Sequence, residues 1–141
     1  MGAFRGARPA RNPNSRLEEK SMRITVLCYE KCSTCRKALA WLDARGVEYV
    51  NRPIREAHPD EGELRAWRAR SGPPLKRFFN TSGQKYRELN LKERLGEMGE
   101  DAQYALLASD GMLVKRPLLV TDGAVCPGFR EAEWERILSE N

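Results

Sequence analysis

The chain has 141 residues, of which 40% are hydrophobic and 32% charged, enough for one domain with a core of its own. It has no apolar segment long enough to span a bilayer and no secretory leader, and four cysteines are too few for a secreted disulfide scaffold, so we expect a cytoplasmic protein. Residues 1–21 supply +3 of the net charge of +5, and the nearly balanced remainder gives no reason to expect direct nucleic-acid binding.

Residues 1–21 carry most of this basic surplus and show no hydrophobic periodicity. Their richness in Gly, Ala, Pro, Arg and Asn predicts a disordered basic extension ahead of a folded domain over residues 22–141. Met22 stands directly before the first predicted strand, so an upstream start would explain the extension without giving it a function. A basic tail that contacts an acidic partner is the functional alternative.

A strand pattern changes into a helix pattern across the sequence Cys32-Ser33-Thr34-Cys35. Residues 22–29 are rich in β-branched and aromatic side chains that alternate between two faces, which predicts a buried strand. Residues 38–45 repeat apolar side chains at helical spacing, and Gly46 stands where a left-handed C-terminal cap is expected. The turn between strand and helix is therefore predicted at Cys32, with Cys35 one helical turn further in.

The position of this C-x-x-C motif predicts redox chemistry. Unpaired backbone N–H groups and the helix dipole favour a thiolate at a helix N-terminus, and Arg36 and Lys37 add positive charge nearby. We therefore expect Cys32 to be an exposed, acidified nucleophile. Two intervening residues bring the sulfurs within reach of one disulfide, so Cys35 is expected to resolve a mixed disulfide formed on Cys32.

Metal binding is the main alternative for the motif. A zinc site usually needs four ligands, and the remaining candidates Cys28, His58 and Cys126 are scattered along the chain. The cysteine spacing also imitates an iron–sulfur motif, but Cys28 lies inside the strand pattern and the chain is too short for a large cluster-bearing barrel. We expect no metal, and we interpret Cys28 as a small buried apolar residue.

The next elements complete a βαβ unit and then turn helical. Residues 47–50 alternate as a second strand, predicted to pair parallel to the first through a right-handed crossover. Asp60 is the predicted N-cap of the next helix, and Glu63 is placed to form a capping box with it. Residues 75–109 have the apolar spacing of several short helices. Residues from about 60 to 109 therefore form a predicted helical insert.

The last part of the chain is predicted to return to the sheet. Asp110-Gly111 is expected to restart extended structure, and residues 115–120 predict a strand headed by a proline. A tight turn at residues 121–123 leads into residues 124–126, which complete an antiparallel hairpin, and residues 131–138 predict a closing amphipathic helix. The order β-α-β, helical insert, β-β-α predicts an α/β fold with a mixed sheet flanked by helices.

This order, with an early C-x-x-C and a proline opening the third strand, resembles the thioredoxin/glutaredoxin arrangement. Several short sequence segments resemble those of the arsenate-reductase-like family, which also contains the Spx transcription regulators. The segments that carry this resemblance are 32–38, 75–83, 113–120 and 128–129. The resemblance extends over residues 22–139 and implies a thioredoxin-like domain.

The resemblance also implies roles for individual residues. It makes Cys32 the nucleophile, Arg36 an anion contact at the helix start, and Arg116 the arginine that precedes a cis-proline and faces the thiolate. A guanidinium there would stabilise a thiolate and bind an oxyanion with two hydrogen bonds. Pro117 would present its backbone to a mixed-disulfide partner.

The sequence departs from the glutaredoxin-linked arsenate reductases at three positions. Asn80 and Gly128 stand where those enzymes carry arginines, and Cys35 stands where they usually lack cysteine. Each lost charge-assisted contact removes roughly 1.5–3 kcal/mol, which predicts weak arsenate binding. We interpret Asn80 as a substrate-positioning residue.

The expected function is that of a monomeric thiol–disulfide oxidoreductase that uses Cys32 and Cys35 and holds no bound cofactor. Glutathione, glutaredoxin or thioredoxin is the expected reductant. The first alternative is an Spx-like redox regulator that binds the RNA polymerase α subunit, although the chain ends at Asn141 without the extended tail of those regulators. The second is a genuine arsenate reductase dependent on glutathione and glutaredoxin.

Overall fold

A computed structural model of the chain describes residues 24–71 and 74–139, so the predicted extension over 1–21 lies outside the described residues. The strands are β1 at Thr25–Cys28, β2 at Val50–Pro53, β3 at Leu118–Val120 and β4 at Val125–Pro127. They form one sheet in the order β2-β1-β3-β4. β1 and β2 are parallel, whereas β3 is antiparallel to β1 and β4, so the sheet is mixed as predicted.

Helices connect these strands in the predicted order β-α-β, helical insert, β-β-α. The α-helices are α1 at Ser33–Ala44, α2 at Glu61–Ser71, α3 at Gln84–Glu88, α4 at Leu91–Arg94, α5 at Glu100–Ser109 and α6 at Glu131–Ser139. Short 3-10 turns lie at Leu75–Phe78, Leu95–Glu97 and Gly111–Leu113. Within the described ranges, no helix is both long enough and apolar enough to cross a membrane.

The sheet separates two apolar layers. Val26 and Leu27 are both fully buried but belong to different layers, because successive strand residues point to opposite faces. The layer around Val26 is formed with α1 and α6, through Ala38, Leu42, Trp134 and Ile137. The layer around Leu27 is formed with the insert, through Leu64, Phe78, Leu91 and Leu107. Because burying one such large side chain contributes about 1.5–3 kcal/mol, the insert is an integral half of the core.

The end of α1 agrees with the prediction, but β2 begins later than predicted. Gly46 has φ of +71°, the left-handed conformation expected of a helix cap, and the Val47 N–H donates to the Leu42 carbonyl at 3.1 Å. The strand predicted over 47–50 was wrong, because residues 47–49 close the helix and bury Tyr49. Pairing begins only at Val50 and continues through polar residues to Pro53, which an edge strand tolerates.

The first helix of the insert begins with the predicted capping box. The Asp60 N–H donates to Glu63 Oε1 at 3.2 Å, and the Glu63 N–H donates to Asp60 Oδ1 at 2.8 Å. Arg52 on β2 also donates to Glu63, with Nη1 2.8 Å from Oε2, which ties the helix start to the edge strand. Leu64 and Trp67 of this helix are buried.

The prediction that Asp110-Gly111 restarts extended structure is wrong. A 3-10 turn lies there instead, and Asp110 Oδ1 caps it by accepting from the Met112 N–H at 2.8 Å. A Cβ on Gly111 would lie 1.9 Å from the Ile54 carbonyl oxygen, so the turn packs directly on backbone that follows β2. The alternation of a strand cannot reveal this contact, because it depends on a residue far away in the sequence.

The two strands of the predicted hairpin also start later than predicted. Residues 115–117 precede β3, and the Lys115 N–H donates to the Phe78 carbonyl of the insert at 2.7 Å. β4 begins at Val125 rather than Ala124. The closing helix has the predicted inward residues, with Trp134 and Ile137 buried.

Candidate functional site

Cys32 and Cys35 lie at the junction of β1 and α1, where the sequence predicts them. Cys32 is the N-cap of α1, and its N–H donates to the Tyr29 carbonyl at 3.0 Å. Cys32 is half-buried, whereas Cys35 is only 1% exposed. Both are free thiols. A molecule arriving from solvent therefore meets the Cys32 sulfur before it meets the Cys35 sulfur.

The structure stabilises a thiolate at Cys35. Hydrogen bonds from the Cys28 thiol, the Tyr29 N–H and the Cys32 thiol, together with the positive charge of Arg116, outweigh burial and lower the pKa of Cys35 from 9.0 to about 7. The Tyr29 N–H lies 3.4 Å from the Cys35 sulfur. The sequence predicted an acidified Cys32 on the strength of the helix N-terminus, and the groups that favour a thiolate are gathered around the inner sulfur of the same motif.

Cys28 contributes to this arrangement in a way that the sequence did not reveal. It is buried in the layer next to α1, as expected of a small apolar residue. Its thiol is also hydrogen-bonded to Cys35, and this bond, burial and the nearby sulfur charges raise the pKa of Cys28 far above its ordinary value. Cys28 thus stays protonated and acts as a donor to Cys35. Its position at the last residue of β1, four positions before Cys32, was the available signal.

Arg116 lies where the resemblance implies, next to the two cysteines. Its peptide bond to Pro117 is cis, and its guanidinium carbon lies 5.1 Å from the centre of the Tyr29 ring. Nη1 donates to the Met112 carbonyl at 3.4 Å, while the buried Nε has no hydrogen-bond partner among the described residues. A buried donor without an acceptor is unfavourable, so this wall of the site favours an acceptor or an anion.

Arg36, the other predicted anion contact, has a different environment. It is exposed, and its Nε donates to the Glu30 carbonyl at 3.2 Å in the turn before α1. It is not one of the described residues that line the cleft at Cys32. The structure therefore brings Arg116, and not Arg36, to the cleft beside the motif.

An open cleft of about 650 Å³ lies over Cys32. Four of its lining residues are cations, and none of the described lining residues carries a carboxylate. The cationic members are Arg77, Lys115, Arg116 and Arg130. The neutral members are Cys32, Thr34, Asn80, Ser82, Gly83, Gln84, Pro127, Gly128 and Phe129. The cleft therefore favours an anionic ligand.

Sequence reasoning had assigned Arg77, Lys115 and Arg130 no role in the site. They come from the turn at Leu75–Phe78, from the segment before β3 and from the loop after β4, so only the fold brings them together. Their signal in the sequence was position: Arg77 and Lys115 lie inside the family-like segments 75–83 and 113–120, and Arg130 directly follows the segment 128–129.

Asn80 forms part of the wall between this cleft and a neighbouring one of about 310 Å³. It is 9% exposed, and its N–H donates to the Leu113 carbonyl at 2.8 Å. A Cβ on Gly83 would lie 2.6 Å from Asn80 Nδ2, so the glycine permits the side chain to lie against the turn. Pro117 is buried, and its carbonyl accepts from the Gly128 N–H at 2.8 Å, while Arg116 rather than Pro117 lines the cleft.

Comparison with known proteins places this geometry in a family. The family model described as the ArsC family matches residues 27–137, which spans the motif, the insert and the hairpin. The chain belongs to the ArsC family. Its thioredoxin-like α/β fold, inferred above from element order and local resemblance, is confirmed.

Three known proteins are similar to this chain over most of its length. YusI of Bacillus subtilis (strain 168), itself uncharacterised, is 54% identical over 114 residues, which cover 81% of this chain and 97% of YusI. A solved ArsC family related protein from Bacteroides fragilis has a TM-score of 0.81 at 50% identity, covering 83% of this chain and 98% of its own. The global transcriptional regulator Spx of Staphylococcus epidermidis is 24% identical over 115 residues, covering 82% of this chain and 86% of Spx.

Two of the three positions at which the resemblance implies a departure from the arsenate reductases lie in the cleft wall. Asn80 and Gly128 both line the cleft, so the two arginine positions of the resemblance do map to the site. Arg77 and Arg130 line the same cleft and supply positive charge from neighbouring positions. Within residues 24–71 and 74–139, no group of three or more His, Cys, Asp or Glu side chains is arranged to hold a metal ion.

Proposed function

We propose that this ArsC-family chain is a thiol–disulfide oxidoreductase in which Cys32 attacks the substrate and Cys35 resolves the intermediate. The observation that carries the proposal is the pairing of a reachable sulfur with a buried one that is held as a thiolate. Cys32 is half-buried and lines the cleft, whereas Cys35 is 1% exposed and has a pKa lowered to about 7. Because Cys32 is the more exposed sulfur, it meets the substrate first. Because Cys35 has the lowered pKa, it is available as a thiolate to attack the mixed disulfide in the second step.

In the first step, the Cys32 sulfur forms a bond to one sulfur of the substrate disulfide, and the second substrate sulfur leaves with the bonding electron pair. The Cys35 sulfur accepts the Cys32 proton through the hydrogen bond between them, so Cys32 attacks as a thiolate, and the departing substrate sulfur then takes this proton and leaves Cys35 ionised again. In the second step, the Cys35 thiolate attacks the Cys32 sulfur and expels the remaining substrate sulfur. Two electrons pass to the substrate: the first product leaves as a thiol, the second leaves as a thiolate that takes a proton from solvent, and the protein is left with a Cys32–Cys35 disulfide.

A thiol reductant closes the cycle by reducing this disulfide. Two molecules of a small thiol such as glutathione, or one dithiol of glutaredoxin or thioredoxin, supply the two electrons. The cleft over Cys32 is open to solvent, so such a partner can reach the outer sulfur of the disulfide.

The proposal is tested by turnover of bis-hydroxyethyl disulfide, with NADPH consumption coupled through glutathione and glutathione reductase or through thioredoxin and its reductase. We expect wild-type protein to turn over above the protein-free rate with at least one reductant, and Cys32→Ser to fall to that rate. Full activity of Cys32→Ser would contradict the assignment of the nucleophile. No turnover by wild type with any reductant, glutaredoxin included, would contradict the proposed activity.

A redox-sensing regulator is a second candidate, and the similarity to Spx favours it. In that function, oxidation of the same two cysteines would change an interaction with the RNA polymerase α subunit. A pull-down with purified α subunit, performed on reduced and oxidised protein, tests it. Binding that depends on Cys32 and Cys35 favours the regulator, whereas the absence of binding in both redox states excludes it.

Arsenate reduction is a third candidate, and the four cations of the cleft favour it. Against it, arginine is absent from positions 80 and 128, so the contacts expected around a tetrahedral oxyanion are changed. Arsenate-dependent NADPH consumption in the presence of glutathione and glutaredoxin is the direct assay. We expect it to be far slower than reduction of a disulfide under the same conditions.

A further inference from the structure

Three of the cleft cations form a group on the side formed by the Pro127-Gly128 segment. Burial and the negative charge of Glu133 raise the pKa of Cys126. The positive charges of Arg130 and Arg77 oppose this rise, which places both arginines near the Cys126 sulfur. The Lys115 stem lies against Gly128, with Cε 3.1 Å from the point where a Cβ on that glycine would stand. Arg116, by contrast, exerts its charge on Cys35. We refer to Arg77, Lys115 and Arg130 as the cationic group.

The members of the cationic group lack the ion pairs that other cations of this chain form. Among the described residues, no Asp or Glu lies within ion-pair distance of any of the three. Elsewhere, the guanidiniums are matched by carboxylates at 2.8 Å in three pairs, Arg45–Glu135, Arg52–Glu63 and Arg65–Asp101. Like charges that converge without an ion-pair partner repel one another, and an anion bound between them relieves this repulsion.

The cleft has the size and lining of a site for a small molecule. Its volume of about 650 Å³ lies within the roughly 300–1,000 Å³ typical of small-ligand pockets. Asn80 and Gln84 add neutral amide groups to the same wall, which can orient a carboxylate or a peptide bond. Cys32 lies in this lining too, so a molecule held by the cationic group occupies the same cleft as the reactive cysteine.

We infer that the substrate is a small disulfide that carries a carboxylate close to its sulfur, and that Arg77, Lys115 and Arg130 bind that carboxylate. This inference rests on the proposed oxidoreductase function and adds the class of substrate. It also gives the cations separate tasks: the cationic group binds the substrate, whereas Arg116 remains with the cysteine sulfurs. Gly128 has a role as well, because its missing side chain leaves room for Lys115.

The test is a series of three small disulfides that differ in charge, namely dithiodipropionate (a dianion), bis-hydroxyethyl disulfide (neutral) and cystamine (a dication). Each is mixed in excess with reduced protein, and the second-order rate of protein oxidation is followed by mass spectrometry after acid quenching. Each rate is divided by the rate at which dithiothreitol reduces the same disulfide, which removes differences in intrinsic reactivity. We expect the normalised rate of the dianion to exceed that of the dication by about tenfold or more, with a preference that shrinks as salt is added.

Charge variants then identify the residues responsible. Arg77→Gln is expected to lower the ratio of the dianion rate to the neutral rate several-fold. Lys76→Gln is the matched control, because it removes the same charge from the adjacent exposed residue outside the cleft lining, and it is expected to leave the ratio unchanged. A folding defect would leave this ratio unchanged, because a misfolded protein loses the dianion rate and the neutral rate together. Equal normalised rates for the three disulfides, or equal effects of the two variants, would overturn the inference.

A binding measurement separates this inference from the proposed activity. Calorimetric titration of Cys32→Ser with dithiodipropionate detects occupation of the cleft without any redox step. Binding that is weakened by Arg77→Gln but not by Lys76→Gln supports the anion site even if no disulfide is turned over. Rapid oxidation by all three disulfides without such binding would leave the proposed activity standing and would overturn the anion site.

Discussion

The Tyr29 N–H donates a hydrogen bond to the Cys35 sulfur at 3.4 Å, and the ring of the same residue lies 5.1 Å from the Arg116 guanidinium carbon. Tyr29 directly follows β1, so the end of one strand holds both the redox sulfur and a cation of the cleft. The sulfur and the guanidinium are therefore positioned relative to each other by a rigid element. This arrangement accounts for a thiolate at a buried cysteine.

Removal of the Cys28 thiol is expected to weaken that thiolate. In a Cys32→Ser background, Cys28→Ala removes the strongest contribution to the low pKa of Cys35, so the pKa should rise toward its ordinary value of 9.0. Ultraviolet thiolate absorbance as a function of pH measures it. Cys126→Ala is the matched control, a buried cysteine that makes no contribution at Cys35. An unchanged titration in Cys28→Ala would show that its thiol does not serve as the donor.

The stability of the reduced protein should depend on pH through Cys35. Between about pH 7 and pH 9.0, the unfolded thiol holds a proton that the folded protein has lost, so the unfolded state binds more protons and stability rises with pH. This contribution is lost as the pH falls through 7. Above pH 9.0 the raised pKa of Cys28 opposes it, because the unfolded Cys28 thiol then ionises more readily than the folded one.

Urea unfolding of reduced wild type and Cys35→Ser across this range measures the contribution of Cys35. The free-energy difference between the two proteins should shift in favour of wild type as the pH rises from about 7 to 9.0. A difference that is flat over this window, or that falls, would contradict a thiolate at Cys35.

Arg116 and Arg36 should differ in their effect on the reactive sulfurs. Arg116→Met keeps an unbranched side chain at this position but removes the charge that favours the Cys35 thiolate, so thiol reactivity near pH 7 should fall about three- to tenfold. Arg36→Met removes an exposed side chain bonded to the Glu30 carbonyl and should change it little. Rates of reaction with a neutral disulfide compare the two variants. The reverse ranking would support Arg36, the anion contact that the resemblance implies at the helix start.

Gly111 should be among the residues least tolerant of a side chain. A methyl group there would lie 1.9 Å from the Ile54 carbonyl oxygen, so Gly111→Ala should lower the free energy of unfolding by about 2–4 kcal/mol. Because the Met112 carbonyl accepts from Arg116, the shift should also slow the redox reaction. Gly96→Ala, which meets no atom within 4 Å, is the control and should be nearly neutral in a urea titration. Equal stabilities of the two variants would contradict the close contact with Ile54.

The features that the sequence predicted correctly depend on neighbouring residues. The capping box of Asp60 and Glu63, the left-handed Gly46 and the placement of Cys32 at a helix start all follow from side chains within a few positions of each other. The order of elements was likewise predictable, because strand and helix periodicities differ. The start of β2 was not, since an edge strand has no obligatory apolar alternation and its register depends on β1.

The features that the sequence could not predict depend on contacts between distant segments. Arg77, Lys115 and Arg130 converge only because the insert, the approach to β3 and the loop after β4 meet at one cleft. The low pKa of Cys35 depends first on the Cys28 thiol at the end of β1 and then on the Tyr29 N–H and the Cys32 thiol, and Arg116 adds its charge from far along the chain. The helix N-terminus and the neighbouring positive side chains predict an acidified Cys32, but they do not reveal these contacts of the inner sulfur.

The roles of Cys32 as nucleophile and Cys35 as resolving cysteine are tested most directly by mapping disulfides. The reduced protein is mixed with one equivalent of a small disulfide, and the disulfide that forms in the protein is identified. Peptide mass spectrometry after rapid alkylation should find a Cys32–Cys35 disulfide in wild type, a stable substrate adduct on Cys32 in Cys35→Ser, and no adduct on Cys35 in Cys32→Ser on the same time scale. A first adduct on Cys35, or a Cys28–Cys35 disulfide as the main product, would contradict attack by the exposed sulfur and resolution by the buried one.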